Sequence, residues 1–87
     1  MEKTFDNFKN YIIEAGKSNN ACKDEFNRVL TSDNFTQLFD VIKNNFHWCF
    51  QYKKILNSEI LLQYVELAYL NNEGFYVNQK INTLKSN

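Results

Sequence analysis

Proline is absent from this chain of 87 residues, and glycine occurs only at positions 16 and 74. Proline and glycine are the residues that most destabilise the interior of a helix, so this sequence contains few forced helix breaks. The length supports one domain, residues 1–87, with a small hydrophobic core. We therefore expect a mainly α fold, a compact bundle of about four helices.

The strongest helical pattern lies over about residues 33–45. Its apolar residues recur at the spacing of one helix face, with polar residues opposite. Similar patterns predict a first helix over about residues 4–15, a second that ends near residue 30, and a fourth over about residues 58–71. The apolar stripe of the third helix, with Phe39 as its core anchor, consists of Phe35, Leu38, Phe39, Ile42 and Phe46.

Several residues mark the predicted helix ends. Asparagine pairs at 19–20, 44–45 and 71–72 suit these ends, because Asn caps helices and tolerates left-handed backbone. Gly16 is expected to end the first helix in the left-handed conformation. The second helix is expected to turn four residues inward: Cys22, Phe26, Val29 and Leu30.

In two short segments the spacing of the apolar residues does not distinguish a strand from a helix. Around residues 46–52 the alternation of Phe46, Trp48, Phe50 and Tyr52 suits an extended segment, whereas the spacing of Phe46, Cys49, Phe50 and Lys53 suits a continuing helix. Around residues 75–79, apolar residues also alternate. A short extended or β pair formed by residues 46–52 and 75–79 is the expectation, with the helical alternative for the first segment left open.

The fourth predicted helix is apolar on most sides, with only Glu59, Gln63 and Glu66 as a polar stripe. Such a helix is normally surrounded by protein, which favours a central core helix. The alternative is that part of its apolar surface, at Leu62 and Tyr69, docks a partner protein.

The titratable residues do not suggest chemistry. A structural zinc site needs four ligands, and Cys22, His47 and Cys49 supply too few. The acidic residues are scattered, and two distant glycines cannot form a phosphate-binding loop. We therefore expect no enzymatic activity, no metal and no cofactor.

The charge balance limits the partners. Ten basic residues match ten acidic ones, which argues against a general nucleic-acid binder.

No apolar run is long enough to span a membrane, and residues 1–6 contain no apolar signal region, so a cytoplasmic location is expected.

One segment combines aromatic and basic side chains, since Tyr52, Lys53 and Lys54 follow Trp48 closely. Such a segment could anchor a protein partner or, as the weaker interpretation, stack and neutralise RNA. The candidate partner-binding residues are therefore Trp48, Tyr52, Lys53, Lys54, Leu62 and Tyr69.

Four parts of the chain form one further pattern: residues 20–23, which open a helix, residues 41–46, Trp48 with Cys49, and Asn78 after residues 75–77. Together they resemble a small domain associated with phage and mobile-element proteins of low-GC bacteria. The resemblance covers about residues 19–78 and transfers no catalytic residues.

A short, neutral, free-standing chain of this kind is similar to anti-CRISPR proteins, and the bacterial group suggests the type VI-B effectors. The resemblance implies a non-enzymatic inhibitor that binds a CRISPR effector nuclease, an RNA-guided RNase, and that perturbs guide-RNA loading, with indirect contact to the guide RNA. The alternatives are a phage structural or adaptor domain that acts by protein–protein association, self-association through the fourth helix included, and a small RNA-binding module.

Overall fold

The structure, a computed structural model, describes residues 4–85, which contain five α-helices and one π-helical turn joined by short connections. The mainly α expectation is confirmed. Residues 1–3 and 86–87 lie outside the described residues. The expectation about a signal region over residues 1–6 therefore falls partly on residues that the structure does not describe. In chain order the elements are α1 (Phe5–Ser18), α2 (Lys23–Leu30), α3 (Phe35–Asn44), the π-turn (His47–Tyr52), α4 (Ser58–Leu70) and α5 (Gly74–Lys85).

Side-chain caps fix three of the helix starts. Thr4, Asn34 and Asn57 each accept a hydrogen bond from the backbone N–H three residues ahead, which satisfies a donor left free by the first helical turn. At the other ends, α1, α3 and α4 stop at the predicted asparagines. The C-caps are Asn19, Asn45 and Asn71, and the left-handed residues Asn20 and Asn72 follow two of them.

The expected role of Gly16 is wrong. Gly16 lies inside α1, which continues to Ser18, and Asn20 adopts the left-handed backbone instead, with φ of 56°. Gly16 is buried because the ring of Phe26 packs against it. A Cβ at this position would lie 3.1 Å from Phe26 Cδ1, so the glycine permits close approach of α1 and α2.

The core is centred on α3 and on Tyr64 of α4. The predicted α3 stripe is buried over Phe35, Leu38, Phe39 and Ile42, and Phe39 is completely inaccessible. The Tyr64 ring packs edge-on against Phe8 and Phe35, with centroids 5.5 and 5.2 Å apart. The Tyr64 hydroxyl donates a hydrogen bond to the Phe35 carbonyl oxygen, so this buried polar atom is satisfied.

The expected β pair over residues 46–52 and 75–79 is wrong, because neither segment is a strand in the described structure. After α3 the chain stays helical but widens into the π-turn, where Phe46 and Phe50 stack with centroids 5.0 Å apart. Residues 75–79 belong to α5. Val77 and Ile81, four residues apart, both enter the core, which is a helical period.

Two helices expose residues that were expected inside. Val29 of α2 is buried and Phe26 half-buried, but Cys22 and Leu30 are exposed because they stand at the N-cap and at the last position of a helix of eight residues. On α4, a single face formed by Leu61, Tyr64 and Ala68 is buried. Therefore α4 lies at the edge of the bundle rather than at its centre.

Candidate functional site

Cys22, His47 and Cys49 are of the residue types that bind zinc. Among the described residues, no group of three or more His, Cys, Asp or Glu side chains is placed to hold a metal ion. Cys22 and Cys49 line the same cavity, but Cys22 is exposed and Cys49 is buried. Burial raises the pKa of the Cys49 thiol to about 11, which keeps it protonated and unreactive near neutral pH.

The predicted aromatic and basic segment is folded back on itself by the π-turn. The Lys53 N–H donates to the Trp48 carbonyl oxygen at 2.8 Å, and the Leu56 N–H donates to the Cys49 carbonyl oxygen at 3.1 Å. Lys54 has a left-handed backbone, with φ of 56°. These features turn the chain sharply between the π-turn and α4.

The segment splits into two environments. Trp48 is half-buried and packs against the core, whereas Tyr52 is 67% exposed. The Lys53 Nζ lies 4.7 Å from the centroid of the Tyr52 ring, a cation–π contact, and Lys54 is exposed beside it. In this segment Tyr52 is therefore the exposed aromatic side chain next to a positive charge, whereas Trp48 packs against the core.

The outer face of α4 carries the other two predicted residues. Leu62 is 60% exposed and Tyr69 is 50% exposed. They are seven residues apart, two helical turns, so they lie on the same side of α4. The exposed Glu66 lies between them, and no Lys or Arg occurs anywhere in α4.

Two exposed residues near this face were missed by the sequence reasoning. Leu70 and Phe75 flank the turn between α4 and α5, and they are 79% and 77% exposed. The Tyr69 ring covers Gly74, where an added Cβ would overlap it, and this places Tyr69 beside the start of α5. We call the four residues Leu62, Tyr69, Leu70 and Phe75 the apolar strip. The sequence did contain a signal for Leu70, because α4 has more apolar residues than one buried helix face can hold.

The turn that carries the strip is held rigidly. Its Glu73 N–H donates to the Ala68 carbonyl oxygen at 2.8 Å, and the Glu73 carboxylate accepts hydrogen bonds from the start of α3. Within the first turn of α5, the Tyr76 hydroxyl donates to Asp40 Oδ1 at 2.6 Å, and this hydrogen bond raises the pKa of Tyr76. The apolar strip is therefore preorganised rather than part of a loose loop.

The chain matches no protein-family model, no curated protein and no solved structure. Within residues 4–85, no helix is long and apolar enough to cross a bilayer. The described surface offers two kinds of side chain. On α4, large apolar side chains lie beside carboxylates. After the π-turn, the Lys53 ammonium contacts the exposed Tyr52 ring, and the exposed Lys54 follows in the chain.

Proposed function

We propose that this protein is a non-enzymatic inhibitor that binds a bacterial CRISPR effector nuclease, an RNA-guided RNase of type VI-B, through its apolar strip. The choice of target follows the resemblance to anti-CRISPR proteins. The observation that carries the binding role is the strip itself: four large apolar side chains, each at least half exposed, at one edge of the bundle. Exposed apolar surface that exceeds a few scattered side chains is typical of a protein-binding site on a small protein.

The composition of the strip supports tight binding. Each exposed apolar side chain gains about 25 cal/mol per Å² of apolar area that a partner removes from water. Aromatic residues are frequent among the few that dominate binding energy, and the strip contains Tyr69 and Phe75. Because Glu73 and Tyr76 hold the α4–α5 turn against α3, little conformational entropy is lost when the strip is covered.

The charges beside the strip favour a basic partner. Glu59 and Glu66 are exposed on α4, which contains no basic residue. A protein that binds RNA presents Lys and Arg to the phosphate backbone, so its RNA groove complements an apolar surface with carboxylates around it. Occupation of that groove would compete with the guide RNA, which is how the proposed inhibitor perturbs guide loading without chemistry of its own.

The experiment is inhibition of RNA cleavage by a purified type VI-B effector with its guide RNA, together with co-purification of the two proteins. We expect the natural chain to inhibit and co-purify, and the double variant Leu62→Gln, Leu70→Gln to do neither. Leu30→Gln is the matched control, because Leu30 is an exposed leucine on α2 outside the strip. We expect it to inhibit like the natural chain.

Other outcomes overturn the proposal in defined ways. If the effector is not retained and the mass of the chain rises with its concentration, a self-associating phage structural or adaptor domain is the better assignment. RNA retention that falls steeply with salt, without effector binding, would instead favour a small RNA-binding module that uses Trp48, Tyr52, Lys53 and Lys54.

A further inference from the structure

A cavity of about 120 Å³ lies between α1, α2, α3 and the π-turn. The residues that line the cavity differ in burial: Cys22 is exposed, Phe26 and Trp48 are half-buried, and Val29 and Ile42 are buried. The cavity therefore extends from the surface into the core. None of these residues belongs to the apolar strip. The cavity is therefore independent of the surface used in the proposed function.

The lining is mostly aliphatic and aromatic, and it contains a single charged side chain, Glu25, among the described residues. The Glu25 carboxylate accepts a hydrogen bond from Asn45 Nδ2 at 3.0 Å, and the same Nδ2 donates to the Val41 carbonyl oxygen at 2.9 Å. These contacts hold the negative charge at the cavity. An anionic ligand would meet it directly and would also have to be desolvated against apolar walls.

We propose that this cavity binds a small uncharged apolar ligand about the size of one benzene ring. An engineered apolar cavity of about 150 Å³ in another protein remains dry and binds benzene, so the volume is of the right order. An unfilled apolar cavity lacks packing contacts on one side, and a ligand that restores them stabilises the folded state. Size, apolar walls and the carboxylate together select neutral over anionic aromatic compounds.

The chain contains its own reporters for this site. Trp48 is the single tryptophan of the sequence and lines the cavity, so its fluorescence reports occupancy without a label. Cys22 also lines the cavity and is exposed, whereas Cys49 is buried. Alkylation by iodoacetamide at neutral pH therefore measures access to Cys22, and the variant Cys22→Ser verifies that assignment.

The test is a titration with toluene and with benzoate, which have similar size and differ in charge. We expect toluene to change the Trp48 emission with saturation, to raise the melting temperature by several degrees and to slow Cys22 alkylation severalfold. Benzoate should do none of these. A linear, non-saturating response to toluene would overturn the proposal, because it would mean that the cavity is a packing gap without a ligand.

Two variants sharpen the result. Ala21 lines the cavity and is half-buried, so Ala21→Leu should fill part of the space and weaken toluene binding at least tenfold. Glu25→Gln keeps the shape and removes the charge, so it should bind benzoate measurably while toluene binding is retained. If A21L does not fold, the toluene titration of the natural chain still decides whether the cavity binds an apolar ligand. E25Q decides the role of Glu25 separately, since unchanged exclusion of benzoate would assign that exclusion to the apolar walls alone.

Discussion

The Glu73 carboxylate accepts the backbone N–H of Phe35, the first residue of α3, at 3.1 Å, and the two residues are 38 positions apart in the chain. Its other oxygen accepts the Thr36 N–H at 2.9 Å, while Asn34 Oδ1 accepts the Gln37 N–H at 2.8 Å. The first three donors of α3 are thus all satisfied, two of them by a residue from the α4–α5 turn. A negative charge at a helix N-terminus is also favourable toward the helix dipole.

Loss of this long-range cap is expected to destabilise the fold. Glu73→Ala leaves two N–H groups at the start of α3 without acceptors, so we expect a loss of about 1–2 kcal/mol in the free energy of unfolding. Urea denaturation measures it. Glu66→Ala, on the exposed face of α4, is the matched control and should change stability by less than about 0.5 kcal/mol. Equal stability of the two variants would show that the Glu73 cap is energetically silent.

A second prediction concerns the centre of the core. Phe39 is fully buried beside Tyr64, with ring centroids 5.8 Å apart, so Phe39→Ala should cost about 3–5 kcal/mol and leave the domain largely unfolded. Phe75→Ala removes the same atoms from a side chain that is 77% exposed, and it should melt close to the natural chain. Similar melting temperatures for both variants would contradict the placement of the α3 stripe.

The parts of the fold that could be predicted are those with local causes. The stripe of α3 follows from helical periodicity, and the caps Asn34 and Asn57 follow from residue type before an apolar run. The contact between Glu73 and Phe35 could not be predicted, because no local pattern links residues 38 positions apart. This contact depends on the tertiary arrangement, which places the turn between α4 and α5 next to the start of α3.

There is a specific reason why the sequence pattern did not predict helix α5. Phe75 and Val77 alternate as in a strand, but Phe75 is exposed and Val77 is buried, and the partner of Val77 in the core is Ile81. Tyr76 lies between them and bonds to Asp40, a tertiary contact that the sequence does not reveal. Of the candidate binding residues, the sequence predicted Tyr52, Leu62 and Tyr69, and all three side chains are exposed. The excess of apolar residues on α4 was a signal for Leu70, but its exposure, like that of Phe75, follows from the position of α4 at the edge of the bundle.

A third prediction concerns alkaline pH. The Cys49 thiol has a pKa of about 11 in the folded protein, raised by burial from 9.0. Between these values the unfolded chain loses the thiol proton while the folded chain keeps it. The contribution of the Cys49 thiol to the free energy of unfolding is therefore fully present below pH 9.0. It falls as the pH rises to about 11, by about 2–3 kcal/mol in all.

Chemical denaturation between pH 8 and pH 10 tests this, because above pH 10 the buried Tyr64, whose pKa is also raised by burial, adds its own fall in stability. The two cysteines provide a matched pair. Cys49→Ala should remove most of the fall in stability across that range, at the cost of a small constant loss from packing. Cys22→Ala should keep the fall, because Cys22 is exposed. An unchanged pH dependence in the Cys49 variant would mean that the thiol is solvated.

The last prediction separates the two candidate binding surfaces. The double variant Lys53→Glu, Lys54→Glu reverses two charges next to the exposed Tyr52 and removes the cation–π contact at 4.7 Å. Lys54 is exposed, and the half-buried Lys53 contacts the exposed Tyr52 ring. Charges at the surface contribute little to stability, so the melting temperature should change by only a few degrees. If this segment contacts the partner, inhibition should weaken, and most at low salt, where the field of the charges extends furthest. We expect weakening that is smaller than that caused by Leu62→Gln with Leu70→Gln, because the strip buries more apolar surface. Inhibition equal to that of the natural chain at low salt would remove Tyr52, Lys53 and Lys54 from the interface and leave the apolar strip as the contact surface.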